Sequence, residues 1–309
     1  MDKIKTYLKI IDEVIDNGIF KANWVSLSQV TVPSWYKKAK FGLFVHWGDY
    51  SVPAYGDEWY PRRMYLMETA EYAHHIATYG EHQDFGYADF IPLFKGEKFD
   101  PMTWANLFKD SGAQYVTPVA EHHDGFQMYN SELSEWNAAK MGPCRDVIGE
   151  LKEAVENQEM VFCVSSHRAE NYWYFSGGRD FDSGINTIDY EEPYGYAHKL
   201  FDQCDQDAFT HIIDSEGPSL DHLEEWLVRT CELVDKYQPQ LIYFDWWIMN
   251  LSFKPYLKRF AAYYYNRAKT WGKEVLINYK HDAFSNGTAV YDIERGQTSG
   301  IRPSPWQSD

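Results

Sequence analysis

A chain of 309 residues suits one large α/β barrel or two medium domains, and either can bury a full core. Its 46 acidic and 29 basic side chains leave a net charge of −17 with no basic patch, a field that excludes nucleic acid and anionic membrane surfaces as partners. Aromatic residues reach 17 %, which favours a ligand able to stack on rings.

Residues 1–20 place Ile4, Leu8, Ile11 and Ile15 at helical spacing and stop at Asn17-Gly18. Charge throughout this segment excludes a signal peptide, so residues 1–22 read as an N-terminal amphipathic extension and 23–309 as one barrel domain. No stretch is apolar enough to span a bilayer. A cytoplasmic protein is expected, unless a leader was removed before Met1, which would make it periplasmic or secreted. The cysteines, Cys144, Cys163, Cys204 and Cys231, are widely spaced and read as free, buried thiols.

Apolar runs at 41–45, 115–120, 160–165, 241–244, 275–278 and 289–293 alternate with helical patterns near 102–110, 146–157, 220–237 and 253–271. Asp100-Pro101 is an N-cap followed by proline at the first helical position, and Ser219 can cap the third helix. Such alternation predicts a parallel α/β sheet, as a barrel or open. Pro118 removes a ladder donor inside its run, so a bulge or strand end is expected there.

Polar groups gather where these runs end, which is where an α/β barrel carries its chemistry. Leu241-Ile242-Tyr243-Phe244 delivers Asp245 to Trp246-Trp247. Other runs end at His46-Trp47, with Glu58-Trp59 shortly after, at Glu121-His122-His123-Asp124, at Ser166-His167-Arg168 and at Glu294-Arg295. His74-His75 lies in a polar segment and reads as surface. Adjacent histidines in a regular strand face opposite ways, so His122 and His123 could act together only beyond the ladder. No HxH or HExxH spacing, phosphate loop or GxSxG elbow occurs, so neither a metal nor a cofactor is expected.

Two-carboxylate glycosidase chemistry remains. One ionised carboxylate attacks the anomeric carbon and a protonated one serves the leaving oxygen. Asp245 is the candidate nucleophile, and Glu294 and Glu58 compete for the acid/base role.

The run Trp35-Tyr36 through Phe41-Gly42-Leu43-Phe44-Val45-His46-Trp47-Gly48, then Glu58-Trp59-Tyr60-Pro61-Arg62, resembles glycoside hydrolase family 29, the α-L-fucosidases. Trp104-Ala105, Gly112-Ala113, His122-His123-Asp124-Gly125-Phe126, Arg145-Asp146 and Tyr237-Gln238-Pro239-Gln240-Leu241 to Asp245 extend the resemblance over roughly residues 24–309. It implies a (β/α)8-type barrel and a retaining exo-hydrolase of terminal α-L-fucose working without a cofactor on a fucosylated glycan or glycoside. Asp245 falls on the family nucleophile. His46, His122 and His123 fall on histidines that bind fucose hydroxyls, and Glu58 with Trp59 on a further sugar-contacting pair. The acid/base position varies in the family, and Glu294 is favoured, its proton held by an apolar setting. Trp246, Trp247 and Trp306 are candidates for an apolar wall against the fucose methyl.

Two departures stand out. Asn278-Tyr279-Lys280 puts lysine where many members carry arginine, and lysine offers no bidentate fork. The chain stops at Trp306-Gln307-Ser308-Asp309, so the expected barrel is short of its last strand and of a C-terminal β-sandwich. Alternative readings are a retaining glycosidase acting on another deoxy- or L-sugar, and a non-catalytic fucose-binding homologue. Homo-oligomerisation is left open.

Overall fold

The computed structural model describes residues 2–185, 190–199 and 217–309. Its centre is a parallel sheet of β1 (Gly42–Val45), β2 (Tyr115–Glu121), β3 (Val161–Phe162), β4 (Val164–Ser166), β5 (Leu241–Phe244), β6 (Leu276–Tyr279), β7 (Val290–Ile293) and β8 (Trp306–Ser308). The spatial order is β1-β2-β4-β5-β6-β7-β8, with β3 also on β2, so β3 and β4 act as one strand interrupted at Cys163. Phe44, Tyr115, Thr117, Leu241, Tyr243 and Gln307 line one internal cavity, and Tyr36 donates to Gln307 at 2.7 Å. The sheet therefore curls until β8 comes round towards β1. No pairing joins these two strands among the described residues. The result is a TIM-like half-barrel with an open seam.

The long helices lie where the apolar periodicity places them: α1 (Asp2–Asn17), α2 (Pro101–Asp110), α3 (Val147–Asn157), α4 (Leu220–Tyr237) and α5 (Lys254–Trp271). Asp100 caps α2 by accepting from Thr103 N–H at 2.6 Å, and Ser219 caps α4 by accepting from His222 N–H at 3.3 Å. Left-handed residues at Gln238 and Gly272 end α4 and α5. α1 is part of the main body: Ile11 and Ile15 enter the same core as the sheet, and Tyr7 donates to Asp235 of α4 at 2.8 Å.

Four readings of the sequence are refined by tertiary structure. The terminal residues 306–308, to which the sequence reading assigned no strand, form β8, because parallel pairing with β7 satisfies backbone groups that a loop would leave exposed. The disturbance expected at Pro118 lies just after it, where β2 shifts register against β4 between Val119 and Glu121. His75 is buried, not on the surface: its Nε2 lies 2.9 Å from the Phe85 carbonyl and its Nδ1 3.3 Å from the Tyr60 hydroxyl. Of the cysteines, Cys163 and Cys231 are buried free thiols and Cys144 is exposed, while Cys204 lies outside the described residues.

The excursion between β1 and β2 carries the helix Ala70–Tyr79, which the sequence reading passed over. It builds a second aromatic core of Tyr50, Tyr60, Tyr65, Tyr87 and Phe90 against Tyr174 and Phe175. Beneath the strand ends lies a buried ionic network. Arg229 Nη1 meets Glu121 Oε1 at 2.9 Å and its Nε meets Glu225 Oε1 at 2.9 Å, while Arg168 Nη2 meets Glu225 Oε2 at 2.9 Å. Removing Arg229 leaves Glu121 and Glu225 to share the single charge of Arg168 in a dry interior. Arg229→Met should therefore cost about 3–5 kcal/mol of stability, measured by denaturant unfolding. A loss under about 1 kcal/mol would show that water reaches the network.

Candidate active site

Each strand of the sheet ends in a residue that faces one cleft. His46 follows β1, His122 and His123 follow β2, His167 follows β4, and Asp245 follows β5. Lys280 follows β6, Glu294 follows β7 and Asp309 follows β8. Glu58 and Trp59 reach the same cleft from the β1–β2 excursion. All seven residues singled out from the sequence (His46, Glu58, Trp59, His122, His123, Asp245 and Glu294) therefore line a single cavity of about 190 Å³.

His122 and His123 can both face it because β2 ends at Glu121, and beyond the ladder their rings approach to 4.1 Å between centroids. The turn that carries them needs Gly125: at φ +81°, a Cβ there would sit 2.4 Å from Arg168 Nη1. Asn171 Nδ2 ties the loop down by donating to the His123 carbonyl at 3.0 Å.

Asp245 is held by several donors. His167 Nδ1 lies 3.0 Å from Oδ2, Lys280 Nζ lies 3.1 Å from Oδ1, and the Trp246 amide donates to Oδ1 at 2.8 Å. His123 Nε2 stands 3.7 Å from Oδ2. Burial alone would raise the Asp245 pKa, but the His167 hydrogen bond and the charges of Lys280 and His123 hold the carboxyl well below the usual range. An ionised Asp245 can only accept, so His167 carries hydrogen on Nδ1, and its Nε2 lies 3.1 Å from Ser165 Oγ.

The histidines differ in charge. Burial and the neighbouring imidazoles push His122 well below its ordinary pKa, so it is neutral. Burial also opposes charge on His123, but Glu170, whose Oε2 lies 3.0 Å from Nδ1, and then Asp245 reverse that and raise its pKa. His123 is therefore biased towards its protonated form, unlike His122 beside it.

Glu294 is half-exposed and its Oε2 accepts from Lys280 at 2.9 Å, which is not the apolar setting anticipated for it. Arg295 lies 3.9 Å away and is 87 % exposed, so Lys280 and not Arg295 is the principal partner. Since Lys280 reaches Asp245 Oδ1 at 3.1 Å and Glu294 Oε2 at 2.9 Å, those two oxygens are no more than about 6 Å apart. The lysine that departs from the resemblance bridges the two candidate carboxylates.

Of the three tryptophans offered as an apolar wall, Trp246 alone lines the cleft, beside Phe44, Trp59 and Tyr243. Trp247 is wholly buried against Tyr172 and Phe253, and Trp306 lies at the outer seam with Tyr36 and Lys40. Sequence reasoning passed over Ser165, Glu170 and Asp309, and noted His167 without assigning it. The strand-end position of Ser166-His167 was the available signal; Glu170 and Asp309 gave none.

A sequence profile of the alpha-L-fucosidase family matches residues 8–309. The chain is 42 % identical over 142 residues to the tissue alpha-L-fucosidase of Rattus norvegicus, covering 46 % of this chain and 30 % of the rat protein. It is 31 % identical over 227 residues to the plasma alpha-L-fucosidase of Homo sapiens, covering 73 % of this chain and 42 % of that protein. The crystal structure of Thermotoga maritima alpha-fucosidase in complex with fucose superposes with a TM-score of 0.69 at 30 % identity, over 89 % of this chain and 62 % of that one. These matches span less than two thirds of the length of each relative.

The depressed pKa of Asp245 has a thermodynamic consequence. Its contacts stabilise the fold above the unfolded aspartate pKa of about 3.9, and that contribution is lost as pH falls towards the folded value. In thermal melts from about pH 5 downward, the protein should lose stability relative to Asp245→Asn below about pH 4. A relative gain on acidification would contradict the assigned charge state.

Proposed function

The chain belongs to the alpha-L-fucosidase family, and on that footing we propose that it is a retaining, exo-acting α-L-fucosidase that removes terminal α-L-fucose from glycans or glycosides. The observation that carries this reading is Asp245, kept ionised at the end of β5 with a second carboxylate, Glu294, within about 6 Å across Lys280. The fucose named with the Thermotoga relative, which superposes over most of this chain, supports the choice of sugar. A cavity of about 190 Å³ admits one pyranose ring and favours attack on a terminal residue.

In the first step, Asp245 attacks the anomeric carbon as Glu294 gives a proton to the leaving oxygen, forming a covalent glycosyl–enzyme. Glu294 then takes a proton from water, which attacks the same carbon and releases both fucose and the free Asp245 carboxylate. Lys280 holds Asp245 ionised before attack. Glu294 Oε2 accepts from Lys280, and the first step has Glu294 turn from it towards the leaving oxygen, a movement its half-exposed position permits. Neutral His122 and His46 bind hydroxyls without adding charge beside the oxocarbenium-like transition state. Trp59, packed 4.7 Å from the His123 ring, and Trp246 offer ring faces to the sugar.

Two variants test the roles. Asp245→Asn preserves shape but removes the nucleophile, so release of nitrophenol from an aryl α-L-fucoside should fall at least about a thousandfold, the scale of nucleophile removal in other hydrolases. Undiminished turnover would end the assignment. Glu294→Ala should slow substrates with poor leaving groups far more than activated aryl fucosides, since only the former need the proton. Equal losses on both would transfer the acid/base role to Glu58.

A further inference from the structure

We propose that His123, His167 and Asp245 form a binding site for a zinc-type divalent cation, and that cation and sugar exclude one another. The candidate ligand atoms are His123 Nε2, His167 Nδ1 and Asp245 Oδ2. His167 Nδ1 lies 3.0 Å and His123 Nε2 3.7 Å from Oδ2, and all three atoms are within 4.8 Å of one another. A tetrahedral ion with bonds of about 2.0–2.2 Å needs ligand atoms roughly 3.3–3.6 Å apart, so His167 and Asp245 must part slightly while the His123 ring draws in.

The partners behind these ligands are those that metal sites use. Glu170 Oε2 holds His123 Nδ1 at 3.0 Å and directs Nε2 towards the cleft, as in carboxylate–histidine–metal arrangements. Ser165 Oγ holds His167 Nε2 at 3.1 Å, and Lys280 occupies the other oxygen of Asp245, Oδ1, leaving Oδ2 facing both rings. Binding needs both ligating nitrogens bare, so the hydrogen on His167 Nδ1, and that on His123 Nε2 in its protonated form, leave as the ion enters. Glu58, Asp245, Glu294 and Asp309 in the lining, with Glu170 behind His123, outnumber the cations Lys280, Arg295 and a protonated His123, giving the cleft the negative potential a cation requires. The cleft supplies the open fourth position.

The histidines are far apart in sequence, which is why motif spacing does not reveal the set. A cation on Oδ2 occupies the lone pair needed for nucleophilic attack, so it inhibits and does not assist. That consequence rests on the fucosidase reading, whereas binding itself does not.

Cobalt(II) and zinc(II) test the site on chelator-treated protein. Cobalt should give the visible bands of a low-coordinate site at one equivalent, displaced by zinc and suppressed by excess free fucose. Calorimetry with zinc should show roughly 10–100-fold weaker binding in Glu170→Gln, which keeps the shape but loses the carboxylate behind His123, and little binding in Asp245→Asn or His167→Ala. Thermal melts confirm that each variant is folded. Absence of binding, or unchanged affinity in Glu170→Gln and Asp245→Asn together, would overturn the proposal. Turnover of an aryl fucoside by the chelator-treated protein is scored separately. If turnover fails while zinc binds, the fucosidase reading falls and the cation site stands.

Discussion

Keeping Asp245 ionised beneath the mouth of a half-buried cleft is the constraint around which the site is arranged. A carboxylate loses solvation there, and burial by itself would protonate it. His167, Lys280 and the Trp246 amide restore what water would have given. Each comes from a different structural step: the end of β4, the end of β6, and the residue that follows Asp245 after β5. Curling of the parallel sheet is what lets them meet, since it turns successive strand ends towards one point.

The same electrostatic requirement operates one layer below. An acidic chain with a net charge of −17 nevertheless buries Arg168, Arg229 and Lys280. Arg168 and Arg229 share Glu121 and Glu225, fixing the bulged end of β2 to α4. The bulge releases His122 and His123 from the alternation of a strand, and Gly125 lets the chain turn close against Arg168. Charge burial, strand irregularity and the paired histidines are thus one local solution. Lysine at position 280 reaches Asp245 and Glu294 at once and so ties the ends of β5 and β7 together.

Much of this was legible in the residues. Apolar runs ending in His or Asp located β1, β2, β5 and the catalytic end of the sheet, because a strand buried on both faces must be apolar until it emerges. Caps at Asp100 and Ser219 marked helix starts because their side-chain oxygens satisfy the first free amides. Less legible were contributions with no local pattern. β8 is three residues long and is defined only by its pairing with β7. His75 looks polar in sequence, yet it is buried by aromatic rings contributed from the surrounding excursion. Glu170 resembles any loop carboxylate until His123 is placed 3.0 Å from it.

By itself the sequence determined most of the strands and long helices, that Asp245, the three histidines and Glu294 stand where strands end, and that Glu58 and Trp59 follow shortly after β1. Periodicity, capping and motif order are local properties, readable along the chain. Tertiary structure alone decided charge and partnership: that His123 is biased towards its protonated form while His122 is neutral, that Glu294 faces Lys280, and that Trp246 lines the cleft while Trp247 and Trp306 do not. Those outcomes depend on distances between residues remote in sequence and on how much water each site excludes. Electrostatic energy follows separation and solvation in space, and neither is a property of spacing along the chain.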